Sequence, residues 1–257
     1  MNAEAIKNEF DKKGYYLAKN VFSKDEIATL ETSFDKIVHQ LERSSDAIDA
    51  TWEGEAIKTI KSSKDRIVHT HNVHKYSSEW MRAMFHPKFL EYAKAILGEN
   101  VVLHHNKLFQ KPASNGAPFP MHQDWSYFPT EKDTMIAGIV HVSDATDEMG
   151  CLRVYEGSHK LGRLKGTNGQ EKDIHGILEK YPIEKAKILE AKAGDVLFFH
   201  YFTLHGSMPN RSKNTRKTVL MQLLEGADRI EEGVDHPNEA LVLSGWNYAS
   251  TRSSAGK

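Results

Sequence analysis

Cysteine is all but missing from this chain. Its 257 residues include one, Cys151, so no intrachain disulfide and no zinc centre with two or more thiolates can form. A dominant sign of charge is missing as well. Lys and Arg number 34 against 35 Asp and Glu, a net of −1, which argues against a broad basic surface for nucleic acid and against an acidic tail. No apolar run approaches the roughly 18 residues of a membrane-spanning helix, so no membrane partner is expected. The opening MNAEAIKNEF lacks the apolar stretch of a secretory signal, and with the single thiol this reads as a cytoplasmic protein. G-x-S-x-G, P-loop and GxGxxG strings are also absent. Histidine, by contrast, is plentiful at fourteen. Most histidines bind no metal, so spacing and not number has to carry any argument for one.

The first hundred residues read as mostly helical. Gly14 stops a short helix that carries Ile6 and Phe10, and YYLAKNVF (15–22) has the look of a strand. Ser23 and Glu26 form a capping box ahead of Ile27, Leu30, Phe34, Ile37 and Leu41, whose spacing gives one buried helical face. Residues 44–76 are polar, irregular and rich in histidine. Helices follow at 78–84 and from Pro87 to Gly98. From residue 101 the pattern changes to short strand-like runs at 101–110, 119–128, 135–142, 151–155, 195–200 and 217–224, separated by turn signals. Strands after a helical lead predict a mainly β barrel or jelly roll with helices packed outside. Residues 157–193 interrupt the rhythm with eight Lys or Arg against five Asp or Glu. This reads equally as a lid over a site or as a solvated excursion. The C-terminal STRSSAGK is expected to fray.

The most informative string is MHQDW at 121–125. On a strand, His122 and Asp124 point to the same face. Two histidines and one carboxylate form a facial triad for Fe(II), with positions left open for substrate and oxygen. His205, past an apolar strand, is the candidate third ligand. Arg216, eleven residues on, would return beside it and offer a planar fork to a carboxylate.

These strings together resemble the phytanoyl-CoA dioxygenase family of Fe(II)- and 2-oxoglutarate-dependent oxygenases. The resemblance rests on LFQKPASNGAPFPMHQDWSYFP (108–129), GCLRVYEGSHKLG (150–162), AGDVLFFHYFTLHGSMPNRS (193–212) and Arg216. It implies a double-stranded β-helix flanked by helices. One domain is expected over 1–257, with a helical lead to about 100, a core over about 101–225 and an extension at 226–257. It further implies that His122, Asp124 and His205 hold Fe(II), and that Arg216 clamps the distal carboxylate of 2-oxoglutarate. Ser207 and Lys111 would assist at that carboxylate, and O2 would be the second co-substrate. The reaction implied is hydroxylation of a C–H bond, with succinate and CO2 released.

The substrate is less legible. Polar residues offered to the mouth of the site suit a small anionic metabolite, with 2-aminoethylphosphonate or a related phosphonate the best match. Asn106, Gln110, His104, Tyr76 and Arg163 are the candidate contacts, and the Lys and Arg of 157–193 would meet the anion. Hydroxylation of an acyl-CoA or natural product is the first alternative, and a non-catalytic metal- or ligand-binding barrel the second. A halogenase would need a small residue where Asp124 stands. His200 competes weakly with His205 as ligand, and His69, His71 and His74 fall where a segment can fold over the mouth. His141 reads as a satisfied strand residue, and His39, His86, His159, His175 and His236 as surface or capping residues. Trp125 reads as core, and Cys151 as a small buried hydrophobe. The sequence does not specify an oligomeric state.

Overall fold

The computed structural model describes residues 2–43, 68–114, 116, 118–166 and 174–251. The expectations for 44–67, for the middle of the basic segment and for the last six residues lie outside them. Helix α1 (Ala3–Lys13) starts where the Asn2 side chain accepts from the Ala5 amide and stops at Gly14. Gly14 has φ +81°, and a side chain there would run into His159 and Thr203, so glycine is required twice over. Strand β1 (Tyr15–Ala18) follows. Helix α2 (Lys24–Glu42) opens on the complete Ser23–Glu26 capping box. Next come β2 (Val68–His71), α3 (Ser78–Met84) and α4 (Pro87–Leu97). The remaining elements are β3 (Val101–Lys111), β4 (Phe119–His122), β5 (Ile136–His141), β6 (Leu152–Val154), α5 (Ile174–Lys180), β7 (Lys187–Leu189), β8 (Val196–His200), β9 (His205–Ser207), β10 (Arg216–Glu225) and β11 (Leu241–Ser244).

All strand pairs are antiparallel and fall into two sheets. The larger runs β1-β8-β5-β10-β3-β11, with β2 also paired to β3, and the smaller runs β4-β9-β6-β7. This is the double-stranded β-helix expected from the sequence. Helices cover the outer face of the larger sheet. There Phe34, Trp80 and Phe89 are fully buried against Leu108, Val140, Phe198 and Val219. The inner face carries Leu197, Phe199 and Ala137 towards the smaller sheet, because neighbouring strand residues alternate faces. Cys151 is buried, as a small hydrophobe should be.

Four strands escape the sequence reading: β2 inside the supposedly irregular 44–76, and the short β7, β9 and β11. Strand β1 also ends at Ala18, four residues earlier than expected. The basic segment is not bare insertion, since it holds a short 3-10 turn at Ser158–Leu161, helix α5 and strand β7. Three of its described cations pair with acids outside the segment. Arg163 reaches Asp133 and Glu231 at 2.7 and 2.6 Å, Lys187 reaches Glu156 at 2.6 Å and Lys192 reaches Asp144 at 2.8 Å.

Candidate active site

Between the two sheets lies a cavity of about 280 Å³. At one side His122, Asp124 and His205 converge, with one donor atom from each lying within 4.8 Å of the others. His122 ends β4 and faces His205 on β9 across the ladder. The strand does not continue through Asp124 as the sequence suggested. Gln123 remains extended, and Asp124 starts a tight 3-10 turn. One extended residue between them suffices to keep both side chains on one face.

The second contacts of the imidazoles fix their tautomers. His122 Nδ1 lies 2.8 Å from the Pro120 carbonyl, and His205 Nδ1 lies 2.9 Å from the Thr203 carbonyl. Each Nδ1–H therefore donates to backbone, and each Nε2 faces Asp124, 3.5 and 3.6 Å from its Oδ1. Burial pushes the His205 imidazolium down to about 4, so the ring is neutral near pH 7. Burial by itself would raise the Asp124 carboxyl, but His205, His122 and Lys107 outweigh it and hold the group below its ordinary range. Two imidazole nitrogens and one ionised carboxylate oxygen on a buried face form a donor set suited to a divalent first-row ion such as Fe(II).

A second cluster stands at the Arg216 end of the cavity. Arg216 opens β10 and pairs in register with Lys111 at the end of β3. Both are buried, and neither has an acidic partner among the described residues. Lys111 Nζ donates to Ser207 Oγ at 2.7 Å and to the Met208 carbonyl at 2.8 Å. Arg216 donates to the Gly150 carbonyl, while its Nε is buried with no partner. A side chain at Gly150 would collide with the Met208 carbonyl, so the close turn that serves Arg216 depends on glycine. Burial lowers Arg216 to about 10 and Lys111 well below its ordinary value. Two desolvated cations with spare donors make an anion pocket that fits one end of a dicarboxylate.

The candidate substrate contacts need correction. Strand β3 carries a bulge at His104: Gln222 pairs with His105, and the next partner pair is Leu223 with Leu103. The extra residue reverses the facing of the strand. Beyond it His105, Lys107 and Phe109 line the cavity. Asn106 and Gln110 have the opposite parity, and Asn106 Nδ2 is bonded to His74 Nδ1 at 3.0 Å and to Met84 Sδ on the helical side. His104 packs against Phe128 and does not line the cavity. Tyr76 is 43% exposed at the end of a short turn. Arg163 stacks over Trp125 and is tied to Asp133 and Glu231, so it too lies outside the cavity lining. His200 is no rival for His205, because its Nε2 meets the Asp133 carbonyl and its Nδ1 accepts from the Phe202 amide.

Sequence reasoning passed over Lys107 and Gln222 and placed His236 on the surface. Lys107 lines the cavity and burial lowers it to about 8, with Asp124 opposing that shift. Both Gln222 side-chain polar atoms are buried without partners. His236 comes from the loop before β11 and joins His71 and His105 in the wall. A lysine on a mostly buried strand and a loop histidine far past the last ligand give no periodic signal, so only the fold reveals them.

A family model described as "Phytanoyl-CoA dioxygenase (PhyH)" matches residues 10–218. The peroxisomal phytanoyl-CoA dioxygenase of Mus musculus is 29% identical over 220 residues, 82% of this chain and 64% of its own length. The chain thus spans a little under two thirds of that relative. A probable alpha-ketoglutarate-dependent hypophosphite dioxygenase of Stutzerimonas stutzeri is 27% identical over 222 residues, covering 83% of this chain and 75% of that protein. Among solved structures, the non-heme alpha ketoglutarate dependent carbocyclase SnoK from nogalamycin biosynthesis superposes with a TM-score of 0.73. It shares 19% identity over 95% of this chain and 94% of its own, a likeness of fold. Among the described residues no helix is long and apolar enough to cross a membrane. With more than half its length matched by one family model, the chain belongs to the phytanoyl-CoA dioxygenase family.

Proposed function

We propose that this protein is an Fe(II)- and 2-oxoglutarate-dependent dioxygenase that hydroxylates a C–H bond of a small anionic metabolite, with a phosphonate such as 2-aminoethylphosphonate the best match. The convergence of His122, Asp124 and His205 on one buried face of the cavity carries this reading. Iron bound there with 2-oxoglutarate and O2 would supply the oxidising chemistry, with succinate and CO2 as by-products.

The chain's own residues do the rest. The Pro120 and Thr203 carbonyls hold the rings of His122 and His205 in the tautomer that presents Nε2. Asp124 stays ionised and contributes the negative charge a divalent ion needs. Arg216 and Lys111 receive the distal carboxylate of 2-oxoglutarate, with Ser207 positioned by Lys111. Before the co-substrate enters, burial and Arg216 disfavour the charged form of Lys111, so an incoming carboxylate favours that charge as well as forming hydrogen bonds.

For the prime substrate, Lys107 and Gln222 offer a cation and an unused amide on the same cavity wall. Phe109, Tyr127, Phe128 and Leu220 close much of the remainder with apolar surface, which limits both the size and the polarity of what fits. The hypophosphite dioxygenase relative supports a phosphorus oxyanion over other anions. The test is succinate release by the iron-loaded enzyme across phosphonates, amino acids and acyl-CoAs. Stimulation by a phosphonate above the uncoupled background is expected. Stimulation by acyl-CoA alone would move the reading to the larger substrate.

A further inference from the structure

A second group of metal-type donors lies in the wall of the same cavity, apart from His122, Asp124 and His205. His71 on β2, His105 on β3 and His236 in the loop before β11 each present a ring nitrogen, all within 4.8 Å of one another. The His105 and His236 rings are 4.5 Å apart, and His71 is 5.6 and 5.5 Å from them. We propose that His71, His105 and His236 form a second metal site, for a divalent first-row ion of borderline softness such as Zn²⁺ or Co²⁺.

The contact at His236 repeats the pattern at His122 and His205. His236 Nδ1 lies 3.0 Å from the Pro237 carbonyl, and His105 Nδ1 lies 2.6 Å from His104 Nδ1. The carbonyl holds the proton on His236 Nδ1 and leaves its Nε2 free to bind, and His105 presents a free Nε2 when its Nδ1 is the donor to His104. His71 Nε2 is itself buried with no hydrogen-bond partner, an unusual cost unless something binds it. The support behind the site is a set of hydrogen bonds centred on Glu239. Glu239, three residues after His236, accepts from Asn72 Nδ2 at 2.7 Å and Lys75 Nζ at 2.6 Å, next in chain to β2. The Glu239 amide donates to the His104 carbonyl at the β3 bulge, at 2.7 Å. One residue thus ties together the three segments that supply the ligands.

Three imidazoles with no carboxylate favour Zn²⁺-like ions over Mg²⁺ or Ca²⁺, which want oxygen. Burial keeps His71 and His105 uncharged, as metal ligands must be. Lys107 opposes a cation here, and Asp124 partly offsets Lys107. Three protein ligands leave a tetrahedral ion one open position, facing the cavity. An anionic group of a bound substrate would complete it.

The test is metal content. Tag-free protein is stripped with chelator, loaded with Co²⁺, dialysed and assayed by mass spectrometry, alongside its visible spectrum. One equivalent should be lost in His71→Ala and in His236→Ala and retained in His122→Ala, and the intense visible bands of four-coordinate Co²⁺ should go with it. His236→Gln, in a loop, replaces His71→Ala if that variant fails to fold by circular dichroism. Metal content and spectrum unchanged in the folded His71 and His236 variants would overturn the site. Because the outcome is read as a difference confined to these variants, it stands whether or not His122 and Asp124 hold iron.

Discussion

Lys111 and Arg216 stand opposite each other on β3 and β10, both buried and with no acid beside either among the described residues. Burial and the neighbouring Arg216 both disfavour the charged form of Lys111 in the empty protein, and an anion beside them offsets that cost. Arg216→Gln should therefore raise the KM for 2-oxoglutarate at least tenfold, since one charge-assisted hydrogen bond contributes about 1.5–3 kcal/mol. Steady-state kinetics with 2-oxoglutarate varied is the measurement. An unchanged KM would remove Arg216 from the clamp.

Lys107 should act on the other ligand. Lys107→Met is expected to raise the KM for an anionic prime substrate about tenfold or more and to leave that for 2-oxoglutarate nearly untouched. The contrast with Arg216→Gln separates the two ends of the cavity. Equal effects of Lys107→Met on both constants would count against a dedicated substrate cation.

Protonation of buried histidines should limit acid stability. His104 is pushed down to about 3, and His141 and His200 to about 4, in each case chiefly by burial. The unfolded chain binds these protons near 6.5 and the folded chain only near 3 to 4, so unfolding takes up protons within that window. The stability from neutral burial is whole above pH 6.5 and is lost as pH falls towards 4. Tm of the metal-free protein, scanned from neutrality to about pH 4.5, should drop steeply. A flat profile would show that these groups charge without penalty.

Phe34 on α2 is fully buried where the helices meet the larger sheet. Phe34→Ala should cost about 3–5 kcal/mol in denaturant unfolding, a large part of a typical domain's stability. A loss below about 1 kcal/mol would mean that α2 is not integral to the core.

What the sequence could show follows from how local each signal is. The Ser23–Glu26 box, the Gly14 stop and the Pro87–Gly98 helix depend on a few adjacent residues, and all appear in the structure. His122 and Asp124 are two apart, so one extended residue brings them together. The facing of β3 was not legible. VVLHHNKLFQK is almost wholly buried and lacks alternation, and its parity is set by a bulge opposite Gln222 on a strand more than a hundred residues away. That one register shift turned Asn106 and Gln110 out of the cavity and Lys107 into it. Strands β7 and β9 have three residues each, too short for periodicity, and exist through their partners. His236 lies in a loop that Glu239 ties to the residue after β2 and to β3, contacts no local pattern announces.

The central claim is that His122, Asp124 and His205 hold the iron that drives 2-oxoglutarate turnover. Decarboxylation of 2-oxoglutarate should be measured with Fe(II)-loaded wild type beside purified, folded His122→Ala and Asp124→Ala. Turnover in the wild type and none above background in either variant is the predicted result. Full turnover in both variants would contradict the account.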